Sequence, residues 1–253
     1  MKFTKEAIRK GRHPAVSKRA RGVVIRKSGN EDYTKLKAYH CILLLSCMGN
    51  VVEKLVAELL SEEAERRALL SDGQFRSRKG RFSIDAAAII VNRARAAWTN
   101  GPITSVLLRD MKVTFPSVAK GRLVNVTMVR QMYSDLIRWT ESILSEAMVQ
   151  MIIEGNAIER HPVEAGVPQG SPVSPILCAM YTSGLMKWVE EYVSAASELS
   201  FVDGLSWLAT ANDVNKVVTI LERSAAKSIK WVSRRGLQCD TAKTETPIFI
   251  RRQ

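Results

Sequence analysis

An Asp-Gly pair between two short apolar runs is the feature that most constrains this chain. Residues 199–202 lead into Asp203-Gly204, and residues 205–209 follow. Because Asp and Gly both tolerate positive φ, such a pair favours a tight β-hairpin. The sequence therefore predicts two antiparallel strands with Asp203 at the turn that joins them.

A second aspartate follows another apolar run. Residues 103–109 have the composition of a buried strand, and Asp110 comes directly after them. A strand end and a neighbouring hairpin tip can bring two carboxylates together. Carboxylate oxygens are the ligands that Mg²⁺ prefers, and paired divalent ions are used in phosphoryl transfer. Either aspartate alone is more often a turn or capping residue, so the interpretation depends on the segments around the pair.

The charge balance indicates a polyanionic partner. The chain has 253 residues, with 38 Lys and Arg against 25 Asp and Glu, and a net charge of +13. Such an excess favours nucleic acid first and an anionic membrane surface second. Much of it lies in residues 1–27, where Glu6 is the one acidic residue. That segment can be a phosphate-binding arm or a solvated tail, and its composition leaves both readings open.

Cysteine spacing and hydropathy exclude several classes of protein. Cys41, Cys47, Cys178 and Cys239 show neither C-x-x-C nor zinc-site spacing, which predicts reduced, mostly buried thiols in an intracellular protein. No apolar run reaches the ~18 residues that span a bilayer, and basic residues interrupt the N-terminus, so we expect no membrane segment and no signal peptide.

Helical and strand patterns alternate along the chain. Predicted helices run from residue 51 to 67, from an N-cap at Ser83 to residue 98, after Pro116, from 134 to 148, from 172 to about 195, and from 214 to 229. Predicted strands cover residues 103–109 and 246–250, with a second hairpin at 149–153 and 157–163. The strand pairs are hairpins, which favours an α+β fold with an antiparallel sheet packed on helices.

One longer motif points to a family. The segment Gly166-Val167-Pro168-Gln169-Gly170-Ser171-Pro172-Val173-Ser174-Pro175 resembles the G-x-P-Q-G-S-x-x-S-P motif of reverse transcriptase domains from non-LTR (LINE-like) retrotransposons, closest to fungal elements. The resemblance extends over roughly residues 22–251. It implies that Gln169, Gly170 and Ser171 line a nucleotide site and that Pro168 faces nucleic acid.

Other segments resemble the family in the same order. Asp110-Met111-Lys112-Val113-Thr114-Phe115 is similar to its D-x-x-x-A-F motif. The resemblance implies that Asp110 and Asp203 are catalytic metal ligands and that Phe115 excludes a ribose 2′-hydroxyl. Without the resemblance, Phe115 is equally well interpreted as a core aromatic.

Two basic features complete the resemblance. Residues 74–81 resemble a loop of the fingers, which implies that Arg78, Lys79 and Arg81 face nucleic acid. A later motif, ending in Lys243-Thr244-Glu245, implies that Lys243 is a catalytic lysine close to the triphosphate. A solvated basic loop and a surface lysine remain the alternative interpretations.

The chain also departs from the family pattern. The hairpin motif of the family carries two aspartates, whereas Gly204 follows Asp203 here. His40 stands where the family has an arginine that contacts the triphosphate, and Arg76 stands where glycine is usual. These departures predict a degenerate enzyme, a pseudoenzyme with little or no polymerase activity.

The resemblance sets the remaining expectations. We expect right-hand polymerase fingers and palm with the thumb absent or truncated: a basic tail at residues 1–30, a fingers-like region at 31–100 and a palm at 101–253. The expected function is RNA-directed DNA polymerisation with an RNA template, a DNA primer, dNTPs and two Mg²⁺ (or Mn²⁺) ions, in an intracellular and preferably nuclear location. The alternative is a non-catalytic, basic nucleic-acid-binding remnant.

Overall fold

The computed structural model describes residues 2–29, 32–35, 38–75, 77–112, 114–153, 155–201 and 204–250. Its helices are α1 (Lys2–Arg9), α2 (Cys47–Arg66), α3 (Ser83–Asn100), α4 (Lys120–Val129), α5 (Ser134–Leu144), α6 (Ser174–Tyr192) and α7 (Val214–Ser233), with a short 3₁₀ helix at Ala15–Lys18. Its strands are β1 (Arg19–Arg26), β2 (Tyr39–Leu44), β3 (Ile103–Lys112), β4 (Met148–Ile153), β5 (Asn156–Pro162), β6 (Ala196–Phe201), β7 (Gly204–Ala211), β8 (Gln238–Glu245) and β9 (Ile248–Phe249).

The chain forms two compact units, each built from two segments. The first unit contains Met1–Glu63 and Ala119–Leu177, and the second contains Ala64–Val118 and Cys178–Gln253. Helices α2 and α6 each run from one unit into the other. These contact boundaries differ from the expected division into tail, fingers and palm, which stays a prediction about function.

The first unit contains a four-stranded sheet in the order β2-β1-β4-β5. Strand β1 pairs antiparallel with β2 and parallel with β4, and β4 and β5 form the predicted second hairpin. Helix α1 packs on α5, where Trp139 is completely buried. Within the segment expected as a basic tail, residues 19–26 form an inner strand of the sheet, because β2 pairs along one side and residues 19–23 pair on the other side with β4, far along the chain.

The second unit contains an antiparallel sheet in the order β6-β7-β3-β8, and β9 also pairs with β3. Helices α3 and α7 both pack on β3. Four successive residues of β3, from Thr104 to Leu107, are buried, which shows that both faces of this strand are covered. The central strand of the unit therefore holds the residue at its end, Asp110, in a fixed position.

Several boundaries differ from the sequence prediction. Helix α3 has Phe82 as its N-cap rather than Ser83, because the Asp85 carboxylate accepts a hydrogen bond from the Phe82 N–H at 2.8 Å. Gly101 ends α3 with a φ of 95°, as the Asn-Gly-Pro sequence predicted. Helix α5 ends at Leu144, four residues early, because Met148 already belongs to β4.

The buried face of α7 also differs from the one face that its apolar residues predict. Those residues recur at helical spacing: Val214, Val217, Val218, Leu221, Ala225 and Ile229. Val218 and Ile229 are exposed, whereas Ser224 and Ser228 are completely buried. The cause is Arg109 of β3, whose guanidinium donates to the Ala225 carbonyl and to the Ser228 hydroxyl. A buried cation on the strand therefore requires small polar residues on the helix.

Two other expectations concern exposure and hydropathy. Cys41 and Cys47 are exposed, so the prediction of mostly buried thiols holds only for Cys178, with Cys239 half-buried. In the described parts of the chain, no helix combines the length and the apolar character needed to cross a bilayer.

Candidate active site

The end of β3 places Asp110 between two neighbouring strands. The antiparallel register pairs Asp110 with Gly204 of β7 on one side and with Asp240 of β8 on the other. Directly paired residues of antiparallel strands point to the same face of a sheet. Asp110 and Asp240 therefore share a face, and Asp110 lies opposite the residue that follows Asp203 in the chain.

The strands that flank Asp203 form the predicted hairpin. Strands β6 and β7 pair antiparallel from Ala196↔Ala209 up to Phe201↔Gly204. Val202 and Asp203 themselves lie outside the described residues. The expected role of Asp203 as a metal ligand therefore stays a prediction.

Asp110 and Lys243, both predicted as site residues, are in direct contact. The Lys243 ammonium donates to Oδ2 of Asp110 at 2.7 Å. Lys243 lies in an irregular part of β8, where the register passes from Asp240 opposite Asp110 to Glu245 opposite Leu108. The side chains are 31% exposed for Asp110 and 65% exposed for Lys243. Water screens such a pair, so it contributes little to stability and leaves the carboxylate accessible.

Two charged neighbours were missed by the sequence analysis. Nζ of Lys112 lies 3.9 Å from Oδ1 of Asp240, which also accepts a hydrogen bond from the Ala242 N–H at 3.3 Å. Both residues share the face of Asp110. They were missed because β8 was not predicted as a strand. The short spacing between Asp240 and Lys243, three residues, was the sequence signal that could have placed Asp240 near the site.

The described residues do not show a complete metal centre. Among them, no three His, Cys, Asp or Glu side chains cluster closely enough to hold an ion. Asp203 lies outside the described residues. Asp110 supplies one accessible oxygen ligand of the kind that divalent ions prefer, and its cross-strand partner Gly204 is the chain neighbour of Asp203.

Phe115 lies just beyond β3 in a turn. The Ser117 N–H donates to the Thr114 carbonyl at 3.2 Å, and the Thr114 hydroxyl contacts the Met111 carbonyl. Phe115 is half-buried, and Val113, between it and Asp110, lies outside the described residues. The turn places the Phe115 ring in the same unit as Asp110 and Lys243.

The first unit contains the predicted nucleotide loop, residues 166–171. The Leu43 N–H donates to the Gln169 carbonyl at 3.3 Å. Gly170 has a φ of 112°, and a Cβ at this position would lie 2.7 Å from the Leu43 carbonyl oxygen. Only glycine fits that approach. Gln169 and Gly170 are exposed, Pro168 is half-buried and Ser171 is buried.

Ser171 leads into a buried polar chain. Its hydroxyl donates to Oε2 of Glu53, and Oε1 of Glu53 lies 3.4 Å from Nε2 of His13, beyond good hydrogen-bonding distance. Burial raises the pKa of Glu53, and the Ser171 hydrogen bond lowers it in part. Burial, with a smaller contribution from the Lys18 charge, lowers the pKa of His13 to about 4, so its imidazole is neutral at pH 7. Sequence analysis assigned no function to either residue.

The three basic side chains of the predicted nucleic-acid-binding loop, in the second unit, differ in their exposure to solvent. Arg78 is only 7% exposed, because its Nε and Nη2 donate to the two Glu65 oxygens at 2.6 Å and its Nη1 to the Ser71 carbonyl. The Arg81 guanidinium lies over the Phe75 ring at 5.4 Å and is partly exposed. Lys79 is exposed, and Arg76 lies outside the described residues. Lys79 is thus the most accessible cation among the three predicted.

His40, which replaces the expected arginine, lies on β2 opposite Ile25 of β1. Its side chain is exposed. The position is therefore accessible to a ligand even though the residue differs from the family pattern.

Residues 25–247 match the family described as "Reverse transcriptase (RNA-dependent DNA polymerase)". The chain belongs to this family. The match includes Asp110, Asp203, Lys243 and the loop at residues 166–171, so both units contribute to it.

Relatives in Drosophila melanogaster are polymerases of mobile elements. The chain is 24% identical over 241 residues to the "Probable RNA-directed DNA polymerase from transposon BS", covering 93% of this chain and 26% of that protein. It is 25% identical over 175 residues to the "RNA-directed DNA polymerase from mobile element jockey", covering 69% and 19%. The resemblance to a non-LTR retrotransposon domain is confirmed, and the chain spans about a quarter of the length of the curated relatives it matches.

Solved structures with a similar fold include telomerases of two yeasts. A truncated apo telomerase from Candida tropicalis superposes with a TM-score of 0.68 at 12% identity, covering 95% of this chain and 52% of that one. Telomerase from Candida albicans, solved with a fragment of telomeric RNA, gives 0.62 at 12% identity, covering 90% and 42%. At this identity the likeness concerns the fold alone, and it confirms the expected α+β fingers and palm.

Proposed function

We propose that the chain is the polymerising part of a retrotransposon reverse transcriptase, which extends a DNA primer on an RNA template with dNTPs. The observation that carries the proposal is the geometry of Asp110. It lies near the C-terminal end of β3, contacts Lys243 and pairs with Gly204, the neighbour of Asp203. A carboxylate and a lysine converging at one sheet edge suit the transfer of a nucleotidyl group.

Asp110 and Asp203 would hold two Mg²⁺ or Mn²⁺ ions. When bound, such ions polarise the primer hydroxyl and neutralise the leaving pyrophosphate. The accessibility of Asp110 supports this role, since a carboxylate sealed beneath side chains would admit no ion.

Lys243 would donate a proton to the leaving pyrophosphate or stabilise its negative charge. Its ammonium carries the proton at Nζ and reaches Asp110 from the irregular part of β8. A flexible, mostly exposed lysine can move from the carboxylate to a phosphate oxygen with little cost in free energy. This is the behaviour expected of a general acid that serves a leaving group.

The other predicted residues would bind the substrates. Gln169, Gly170 and Ser171 would line the nucleotide site, Phe115 would exclude the 2′-hydroxyl of a ribonucleotide, and Lys79, with Arg81, would contact nucleic-acid phosphates. Pro168 would face the template. Arg78 would instead shape the basic loop, because its guanidinium is occupied by Glu65 and Ser71.

We further infer that polymerisation is weak. Gly204 provides no carboxylate opposite Asp110, and the imidazole of His40 lacks the planar fork of N–H donors with which an arginine binds phosphate oxygens. Both changes remove groups that would otherwise hold metal ions or phosphates.

Primer extension on an RNA template tests the proposal. The chain and its Gly204→Asp variant are compared with Mg²⁺ and then Mn²⁺, with Asp110→Ala as the negative control in each background. We expect slow extension by the chain, faster extension by Gly204→Asp, and none by Asp110→Ala. Equal extension with and without Asp110 would contradict the proposal, and fast extension by the unmodified chain would contradict its weakness.

A second candidate is a nucleic-acid binder without catalysis. The net charge of +13 favours it, together with the loss of a carboxylate at Gly204. Phosphate contacts dominate such binding, so affinity for an RNA–DNA hybrid should fall at least about tenfold between low and physiological salt. Strong, salt-dependent binding without extension by any variant would select this candidate. A nuclear location and an origin in a fungal element remain predictions from the resemblance.

A further inference from the structure

The loop at residues 166–171 rests on a carboxylate that water does not reach. Glu53 projects from α2 with 2% of its side chain exposed, and His13 beside it is completely buried. A buried carboxylate costs free energy unless hydrogen bonds compensate it. An apolar side chain would fill the same space at lower cost, so Glu53 requires an explanation in terms of what it contacts.

The contacts of Glu53 lead to the loop. Oε2 accepts the hydrogen bond of the Ser171 hydroxyl, and the Ser171 oxygen accepts one from the Val173 N–H at 3.3 Å. The Ser171 hydroxyl thus accepts from the Val173 N–H and donates its own hydrogen to Glu53. The carboxylate therefore fixes the rotamer of Ser171.

Ser171 in turn closes the turn that carries the exposed loop residues. The Pro168 carbonyl accepts hydrogen bonds from the Ser171 N–H at 3.2 Å and from the Ser174 hydroxyl at 2.8 Å. The Leu43 N–H supports the same turn through the Gln169 carbonyl. The loop thus has two supports, a strand backbone on one side and the Glu53 carboxylate on the other, with Gly170 between them.

His13 lies beside Glu53 in the same buried region. Its ring meets Trp139 edge-on at 5.2 Å between centroids, and its backbone N–H donates to the Ser142 hydroxyl at 3.0 Å. These contacts fix the imidazole with Nε2 towards Glu53. Nε2 makes no hydrogen bond at 3.4 Å from Oε1, so the ring borders Glu53 without bonding to it. Burial, with a smaller contribution from the Lys18 charge, lowers the pKa of His13 and keeps its imidazole neutral.

We propose that Glu53, which lies beside His13, is a positioning residue that holds Ser171 and thereby keeps Gln169 and Gly170 in the shape that receives the nucleotide. The nucleotide part rests on the proposed function, whereas the hold on the loop is a property of the unliganded chain. Glu53 touches no substrate in this arrangement and acts through Ser171.

Hydrogen exchange of the loop amides in the full chain is the primary test. In Glu53→Leu we expect the amides of residues 169–171 and of Val173 to exchange at least about tenfold faster, since a support of the turn is lost. Glu53→Gln should restore most of the protection, because its amide oxygen can still accept from Ser171. Glu63→Gln is the matched control, a buried glutamate about 15 Å further along the same helix, and should leave the loop unchanged.

A nuclear magnetic resonance measurement separates positioning from packing. The ¹⁵N shifts of the His13 ring report which nitrogen carries the hydrogen, and we expect Glu53→Leu to change that distribution while Glu63→Gln does not. Unchanged His13 shifts together with unchanged loop exchange would overturn the proposal. If Glu53→Leu melts without cooperativity, Ser171→Ala decides: faster loop exchange supports the proposal, and unchanged exchange overturns it.

Nucleotide kinetics separate this inference from the proposed function. In whichever background extends a primer, Glu53→Leu should raise the KM for dNTP several-fold more than it lowers kcat. If Glu53→Leu speeds hydrogen exchange of the loop but no variant extends a primer, the positioning role is supported and the proposed polymerase function is contradicted. Extension with unaltered KM and unaltered loop exchange contradicts the positioning role and leaves the polymerase intact.

Discussion

The two units handle their key carboxylates in opposite ways. In the second unit Asp110 lies at an accessible sheet edge, with a mostly exposed lysine as its partner. In the first unit Glu53 is sealed from water and holds Ser171 by a hydrogen bond. The position of Asp110 is fixed by the pairing and packing of β3, whereas the Glu53 side chain itself stabilises the loop that it contacts. A substitution at Asp110 should therefore change activity without changing the free energy of unfolding, whereas a substitution at Glu53 should change both.

Removing the Asp110 charge should produce the largest effect on activity and almost none on stability. In the background that extends a primer, Asp110→Asn should lower the extension rate at least about 100-fold, because a metal ligand is lost. The free energy of unfolding should change by less than about 0.5 kcal/mol, since an exposed ion pair stabilises little. Extension assays and urea unfolding of the same samples check both parts. A marked loss of stability in Asp110→Asn would contradict the distinction between an accessible carboxylate that serves chemistry and a buried one that stabilises structure.

Gly170→Ala should show how tightly the loop of the first unit is fitted. The new Cβ would meet the Leu43 carbonyl at 2.7 Å in a backbone with positive φ, so we expect a loss of about 2–3 kcal/mol in unfolding free energy. Gly80→Ala is the matched control: its φ is also positive, at 74°, but nothing lies within 4 Å of the added Cβ. That variant should lose only about 1 kcal/mol. Equal losses would mean that the contact with Leu43 does not constrain the loop.

Glu198 tests whether burial, rather than the unit, decides how a carboxylate behaves. It lies in the second unit, where burial raises its pKa to about 7 despite the opposing hydrogen bond from the Ser71 hydroxyl. The native state therefore binds a proton that the unfolded state releases near pH 4.5. Stability should fall as pH rises from 4.5 through 7, by roughly 1–2 kcal/mol after allowance for partial exposure.

Thermal or urea unfolding at pH 5 and pH 8 measures this loss. Glu198→Gln should make the decline shallower, and Glu53, whose pKa burial also raises, accounts for the part that remains. The exposed Glu222→Gln on α7 should leave the decline unchanged. An identical pH profile in the chain and in Glu198→Gln would show that Glu198 behaves like the exposed carboxylates.

The smallest expected effect concerns the basic loop. Lys79→Ala should weaken binding to an RNA–DNA hybrid only a few-fold and reduce the salt slope of log affinity by about 1, because one phosphate contact is lost. Stability should not change, since Lys79 is exposed. Arg78→Ala gives the contrast, because it breaks the pairing with Glu65 and should destabilise the second unit. Fluorescence anisotropy over a salt series measures the binding, and an unchanged slope in Lys79→Ala would exclude that contact.

Local sequence patterns predicted the helices and hairpins whose formation depends on residues within a single segment of the chain. Helices α2, α3, α6 and α7 and both hairpins follow from periodicity, caps and turn residues. Asp110 and Lys243 were predicted from family motifs, and the structure brings the two into contact.

What sequence could not supply depends on partners that are distant in the chain. The inner position of β1 depends on β4, and the buried face of α7 depends on Arg109 of β3. His13 carries no local signal, since its burial comes from Trp139 and Glu53. Asp240 was hidden because β8 has a polar composition and gains its strand conformation from pairing with β3.

The parallel pairing of β1 with β4 also constrains how the protein is made. Arg19 pairs with Met148, a separation of about 130 residues, and such distant pairings slow folding. At a ribosomal rate of ~5–20 residues per second, β1 leaves the exit tunnel on the order of ten seconds before β4 does. Strand β2 is made shortly after β1 and can pair with it at once, but residues 19–23 lack their β4 partner during this interval. The side of the nascent β1–β2 hairpin that later receives β4 is therefore a natural site for chaperone engagement.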